Sequence, residues 1–269
     1  MRFAICNETY QNETLERVCE DVAACGYHGL EVAPFTLCED PSTLSETEAK
    51  RVGDVIRAAG LDPVGFHWLL LAPKGLHLTT PDDAVRKKTV EFVKHLGRRC
   101  ADMGGTIMVW GSPDQRNIKE LPYEECFKRA TDAVREISEE CGKVGVTIAM
   151  EPLSRTITDF LKTAEETVQL IEAVDHPACR LHLDVRAMSD EDKPIPQIIV
   201  ESRKYIAHFH TNDANSRGPG TGDVDFVPII EALRKAEYDG YLSVEVFDYK
   251  PDARTIARES IEYLKSVVK

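Results

Sequence analysis

Eight times along this chain a short apolar run gives way to a longer segment whose apolar residues recur every three or four positions. That alternation restricts the fold more than any other feature. A short run bounded by turn residues reads as a strand, and the recurrence reads as a helix with one buried face. The pattern predicts strands over residues 2–6, 28–34, 61–70, 106–110, 146–151, 178–185, 206–211 and 241–247. It predicts helices over 12–25, 45–59, 81–102, 122–143, 163–174, 195–204, 226–236 and 252–267. The punctuation agrees: Gly26, Gly60 and Gly104-Gly105 end helices, Ser45 caps one, and Pro122 suits a first turn. Eight βα units in 269 residues, with no break in composition, predict α/β class: a single (β/α)8 TIM barrel domain over residues 1–269. A doubly wound open sheet is the alternative. It would want a glycine-rich phosphate loop after the first strand, where CNETYQNET stands, and no GxGxxG or Walker A motif occurs.

Composition narrows the function classes. The formal net charge of −13 is a poor match for nucleic-acid phosphates, so no nucleic-acid partner is expected. The eight cysteines form no CxxC pair, and most sit in apolar patterns, so they read as free buried thiols. No apolar stretch reaches the roughly 20 residues of a membrane span, and the run in MRFAICNETY is short for a signal peptide. A cytoplasmic protein with no membrane partner is expected.

In barrels of this type the active site lies at the C-terminal ends of the strands. The last four strands end TIAME, RLHLD, AHFH and LSVE, placing Glu151, Asp184, His210 and Glu245 there. Side chains alternate along a strand. Met150, Leu183, Phe209 and Val244 therefore face the helices, while Ala149, His182, His208 and Ser243 share the inner face with the four. A single carboxylate at a strand end is usually a cap or an ion-pair partner, and a single strand histidine is usually a core residue. Four such residues on four successive strand ends read instead as one divalent-metal site. Its oxygen-rich donors suit Mn²⁺, Mg²⁺ or Co²⁺, with Zn²⁺ also possible.

These same segments, AMEP at Glu151, HLDV at Asp184, HFHTND at His210 and SVEVF at Glu245, resemble the xylose-isomerase-like barrels. The likeness extends over essentially the whole chain. The PGTGDVDF run is similar to the ketose 3-epimerase and hydroxypyruvate isomerase branches. The resemblance implies that the four residues hold one divalent metal and that Glu151 and Glu245 are the acid/base pair. It also implies a sugar or small hydroxy-ketone substrate, proton transfer through a metal-stabilised enediolate, and a possible homo-oligomer. The chain departs from the ketose 3-epimerases at two positions, with Ile157 in place of a glutamate and Ala187 in place of a histidine. The loop arginine of that branch corresponds to Arg217, offset by one residue. These departures weigh against a free ketose.

Further substrate contacts are expected from His67 and Trp68 after strand three, Trp110 at the end of strand four, Arg116 in the loop GSPDQRN, His182 and Arg217. A tryptophan at a strand mouth can stack on a sugar face, and an arginine can bind a carboxylate or phosphate. Glu8 and Glu31, near the ends of strands one and two, read as structural ion-pair partners. The leading expectation is a metal-dependent isomerase or epimerase. A lyase or dehydratase acting on a keto-sugar, keto-inositol or dehydroshikimate-like compound is the alternative. An endonuclease IV-like nuclease and a non-catalytic ligand-binding barrel rank below both.

Overall fold

In the computed structural model, which describes residues 1–269, eight parallel strands close into a barrel in chain order. The strands are β1 (Arg2–Cys6), β2 (Gly29–Val32), β3 (Asp62–Phe66), β4 (Ile107–Trp110), β5 (Thr147–Met150), β6 (Cys179–Asp184), β7 (Ile206–Thr211) and β8 (Tyr241–Val244). The helices are α1 (Leu15–Cys25), α2 (Glu46–Ala58), α3 (Asp83–Met103), α4 (Tyr123–Lys143), α5 (Ala164–Val174), α6 (Val185–Met188), α7 (Ile195–Ser202), α8 (Phe226–Lys235) and α9 (Ala253–Val267). The (β/α)8 expectation is met, and closure leaves no strand edge exposed.

Most elements are a little shorter than the sequence pattern, and two departures from it bear on the site. The run at 61–70 is not one strand: β3 stops at Phe66, and His67-Trp68-Leu69-Leu70 is loop. Continuous hydrophobicity cannot tell a strand from a loop packed into the barrel mouth, and Leu69 and Leu70 are fully buried there. The short helix α6 follows directly on β6, because Asp184 caps it by accepting a hydrogen bond from the Ala187 amide.

The helices are fixed locally as well as by packing. Ser45 and Glu48 form a reciprocal capping box on α2, and Thr14, Asp82, Thr163, Asp225 and Asp252 cap other N-termini. Their apolar faces and the outward strand residues form one core cluster that includes Met150, Leu183, Phe209 and Val244. Gly65 is needed where β3 meets β4: an added Cβ would lie 1.9 Å from the Ile107 carbonyl oxygen. All eight cysteines are free, and six are buried. No helix is long and apolar enough to cross a membrane.

Candidate active site

Each of the four strand-end residues arrives by the same route. Alternation sends its strand neighbour outward into the helices, and the residue itself turns inward at the barrel's C-terminal end. One donor atom from each of Glu151, Asp184, His210 and Glu245 lies within 4.8 Å of the other three, and all four residues are buried. Glu151, Asp184 and Glu245 line a cavity of about 330 Å³. His210 sits behind them, its Nδ1 3.0 Å from Glu245 Oε2.

The surroundings orient these groups. Asp184 Oδ1 accepts from the Ala187 amide at 2.8 Å, and Oδ2 accepts from Asn212 Nδ2 at 2.6 Å. Glu245 Oε1 accepts from Trp68 Nε1 at 2.7 Å. Trp68 adopts a left-handed backbone conformation, φ 53°, which is strained for a bulky residue and characteristic of functional positions. Glu151 is different, because no donor of the protein reaches its carboxylate. Its space depends on Gly111, where an added Cβ would lie 2.3 Å from Glu151 Oε2.

Behind the cavity runs a second polar layer. His210 Nε2 lies 3.1 Å from both oxygens of Glu31, which also meets His208 Nε2 at 2.8 Å and accepts from Ser243 Oγ at 2.8 Å. With Nε2 tied to Glu31, Nδ1 is the nitrogen that His210 presents to the carboxylates. His67 Nε2 lies 2.6 Å from Glu8 Oε2. The expectation of ion pairing for Glu8 and Glu31 is therefore met, with histidine partners that follow β3 and lie on β7.

The electrostatics are those of an uncompensated acidic cluster. Burial, then Glu245 and Asp184, push Glu151 well above the usual carboxylate range. Burial, then Glu245, push Asp184 up to about 6. Burial also raises Glu245, but His210 outweighs it by charge and hydrogen bond, and the net direction is down. For His210, burial acts downward and is overcome by Glu31 and Glu245, so the imidazole is held well above its ordinary value. A divalent cation among these donors would relieve the repulsion. The carboxylate with no internal partner, the three cavity-facing acids and the oriented imidazole all fit such an ion.

The other sequence candidates divide. His67 and Trp68 line the cavity. Trp110, Arg116, His182 and Arg217 are not among its lining residues. Trp110 is wholly buried, because its side chain falls on the outward side of β4 and joins the core. Arg116 is also wholly buried. Its guanidinium donates to the carbonyls of Glu151, at 2.6 Å, of Trp110, at 2.5 Å, and of Gly111, so it ties the ends of β4 and β5 together. His182 lies beneath the site, its ring centroid 4.1 Å from that of His210, and neither ring nitrogen has a partner. Burial, then His210 and His208, hold it well below the usual histidine range. Arg217 donates to the Lys250 carbonyl at 3.2 Å on the outer loops. Arg186 and Phe247, which the strand-end pattern does not mark, also line the cavity. The available signal was their place in the chain, two residues beyond Asp184 and Glu245 respectively.

Residues 19–267 match the family model described as the xylose isomerase-like TIM barrel. The chain is 29% identical over 176 residues to a D-psicose 3-epimerase of Ruminiclostridium cellulolyticum, a match that takes in 64% of this chain and 59% of that protein. It is 25% identical over 196 residues to a 3-dehydro-D-guloside 4-epimerase of Escherichia coli, covering 68% of this chain and 74% of the relative. Among solved structures, the fold superposes on a D-psicose 3-epimerase with D-tagatose from Clostridium cellulolyticum. The TM-score is 0.87, with 21% identity and full coverage of both chains.

Proposed function

We propose that this protein, which belongs to the xylose isomerase-like TIM barrel family, is a divalent-metal-dependent epimerase or isomerase of keto-sugars. The observation that carries the reading is the convergence of Glu151, Asp184, His210 and Glu245 within 4.8 Å at one cavity. Relatives that match most of their length to this chain and are sugar epimerases support it.

The four residues would hold Mn²⁺, Mg²⁺ or Co²⁺, with Zn²⁺ also compatible, and Asn212, Glu31 and Trp68 would orient them. The ion would supply the positive charge that acidifies a C–H bond next to a carbonyl. The chain supplies the proton carriers. Glu245 is held at both oxygens, by Trp68 and His210, which fixes it as one of the two proton carriers. Glu151 has no hydrogen-bond partner within the protein, which leaves its carboxylate free to turn to the substrate as the second carrier. Two carboxylates on strands three apart in the ring reach the same carbon from different sides, and the reverse reaction exchanges their roles. The half-buried Trp68 and the cavity walls limit water at the reacting carbon.

The test is metal analysis of the purified protein, followed by proton NMR in D₂O with D-psicose, D-fructose and 3-keto-glucosides. The expected result is one divalent ion per chain and deuterium entering the carbon next to the carbonyl. Loss of water or of a glycosidic substituent without exchange into recovered substrate would point to the lyase alternative. A protein that binds no divalent metal and exchanges no proton would overturn the proposal.

A further inference from the structure

Above the acidic cluster the cavity wall is polar as well as apolar, and Lys74, Ser112, Asp114, Gln115, Ser154 and Arg186 all line it. Most of these groups are committed to the protein or sit at the exposed rim. Ser154 Oγ donates to Asp190 Oδ2 at 2.7 Å, and Ser112 Oγ accepts from the Leu70 amide at 3.4 Å. Lys74 and Asp114 are exposed. Arg186 differs. It is half-buried, two residues beyond Asp184, and it forms no ion pair, although acidic residues outnumber lysine and arginine on this chain by 46 to 33. Arginines of neighbouring loops are paired, Arg155 with Asp192 at 3.3 Å and Arg217 with Asp248 at 4.0 Å.

The guanidinium is held in place and left open towards solvent. The Arg186 amide donates to Asn212 Oδ1 at 2.8 Å, and Asn212 Nδ2 donates to Asp184 Oδ2 at 2.6 Å. One side chain therefore fixes the backbone of the arginine and a carboxylate of the cluster in a common frame. Farther out, Arg186 Nε donates to Ser216 Oγ at 2.8 Å, and the guanidinium carbon lies 5.1 Å from the centre of the Phe247 ring. The hydrogen bond sets the direction of the guanidinium plane, and the ring covers one of its faces. The two terminal nitrogens have no acceptor in the protein, yet they are not sealed from solvent. They form a fork whose geometry matches two oxygens of a carboxylate or a phosphate. An arginine held for structure alone would use those donors on the protein, as Arg116 does on the carbonyls of Glu151, Trp110 and Gly111. Ala187 and Ile157 also line the cavity and present no side-chain hydrogen-bonding group.

We propose that Arg186 is an anion-binding, specificity-determining residue, and that the substrate is a keto-sugar carrying a carboxylate or phosphate at the end remote from its carbonyl. The inference rests on the proposed function for the carbonyl end and adds the chemistry of the other end. The acidic cluster alone would repel such a ligand, whereas a guanidinium fixed in the same cavity gives the anion a place away from the carboxylates. A neutral ketose would gain nothing from that charge.

The experiment titrates the full chain, loaded with Mn²⁺, with ligands that differ only at C6: D-fructose, D-fructose 6-phosphate and D-fructuronate. Calorimetry gives each affinity, and proton NMR in D₂O records exchange next to the carbonyl. At least one anionic ligand is expected to bind more tightly than D-fructose by about tenfold or more, the scale of a hydrogen bond to a charged group. Which of the two is preferred identifies the anion. Arg186→Gln should bring that ratio towards one, and Arg186→Lys, which keeps the charge without the fork, should retain part of it. Lost packing on Phe247 would weaken all the ligands alike and leave the ratio unchanged, so the ratio separates recognition from structure. The parent's own ratio and the lysine variant keep the test decisive should Arg186→Gln not fold. Equal binding of all the ligands by the parent, or tighter binding of D-fructose, would overturn the subsite. So would a ratio that survives Arg186→Gln, because the anion would then sit on the ion among the carboxylates. Exchange without an anion preference means that only the subsite fails. An anion preference without exchange means that the subsite stands and the proposed function fails.

Discussion

Glu31 does not line the cavity, yet His208, His210 and Ser243 all meet it at 3.1 Å or less. Burial alone would protonate it, but His210 and then His208 outweigh burial and hold it well below the usual carboxylate range. A carboxylate that fixes the far nitrogen of a metal-binding histidine sets both its tautomer and its orientation. Glu31→Gln keeps the shape and removes the charge. It should weaken Mn²⁺ binding about 10–100-fold in calorimetric titration; unchanged affinity with lower stability would make Glu31 a core ion partner only. Gly111→Ala acts on the same centre from the cavity side. The added methyl would overlap Glu151 Oε2 and displace the carboxylate. Turnover should fall by about 100-fold, the scale of an ångström's misplacement, while thermal unfolding stays close to the parent. A parent-like rate would show that Glu151 has room to move.

The elements set how these residues are presented. β4 and β5 deliver Trp110 and Glu151 to neighbouring strand ends, and Arg116 returns from the following loop to bind the carbonyls of both. That clamp was not legible in the sequence. An arginine in a polar loop looks solvent-facing, and only the approach of three carbonyls from two neighbouring strand ends draws its charge inward. Trp110 follows a related rule: proximity to the strand end suggests the cavity, but the side of the pleat places its side chain in the core. α5 shows a further element-scale effect. Its first amide, at Ala164, donates to Glu191 Oε1 at 2.9 Å, and burial pushes Glu191 up to about 7. A carboxyl raised in the folded state stabilises fully below the unfolded value near 4.5, and the benefit is lost as pH rises through about 7. Glu191→Gln should therefore match the parent at pH 4. Above pH 7 it should be more stable by about 1 kcal/mol, discounted for partial solvent screening. Urea titrations at both pH values check this, and a constant difference would refute it.

Across the whole molecule, the closed barrel gathers three carboxylates that oppose one another's ionisation. Asp184, pushed up to about 6, and Glu151, raised further, hold protons at pH 5 that a cation must displace. At pH 8 Asp184 has lost its proton. Saturating Mn²⁺ should therefore raise the melting temperature more at pH 8 than at pH 5. Stabilisation should be about 2.7 kcal/mol at a hundredfold excess over Kd, and chelation by EDTA should reverse it. An equal shift at both pH values would place the ion elsewhere. Ring closure also explains how Glu31 on β2 reaches histidines on β7, 177 and 179 residues away in the chain.

The sequence by itself determined the barrel and the acidic strand ends. Strand alternation and helical spacing are local periodicities, and TIAME, RLHLD, AHFH and LSVE each carry their polar residue at the same place in the period. Only the tertiary structure decided which other side chains join the site. Arg116, Glu31, Phe247 and Arg186 take their positions from groups far away along the chain. Closing the barrel creates those contacts, and no local pattern encodes the distances between loops that meet across its mouth.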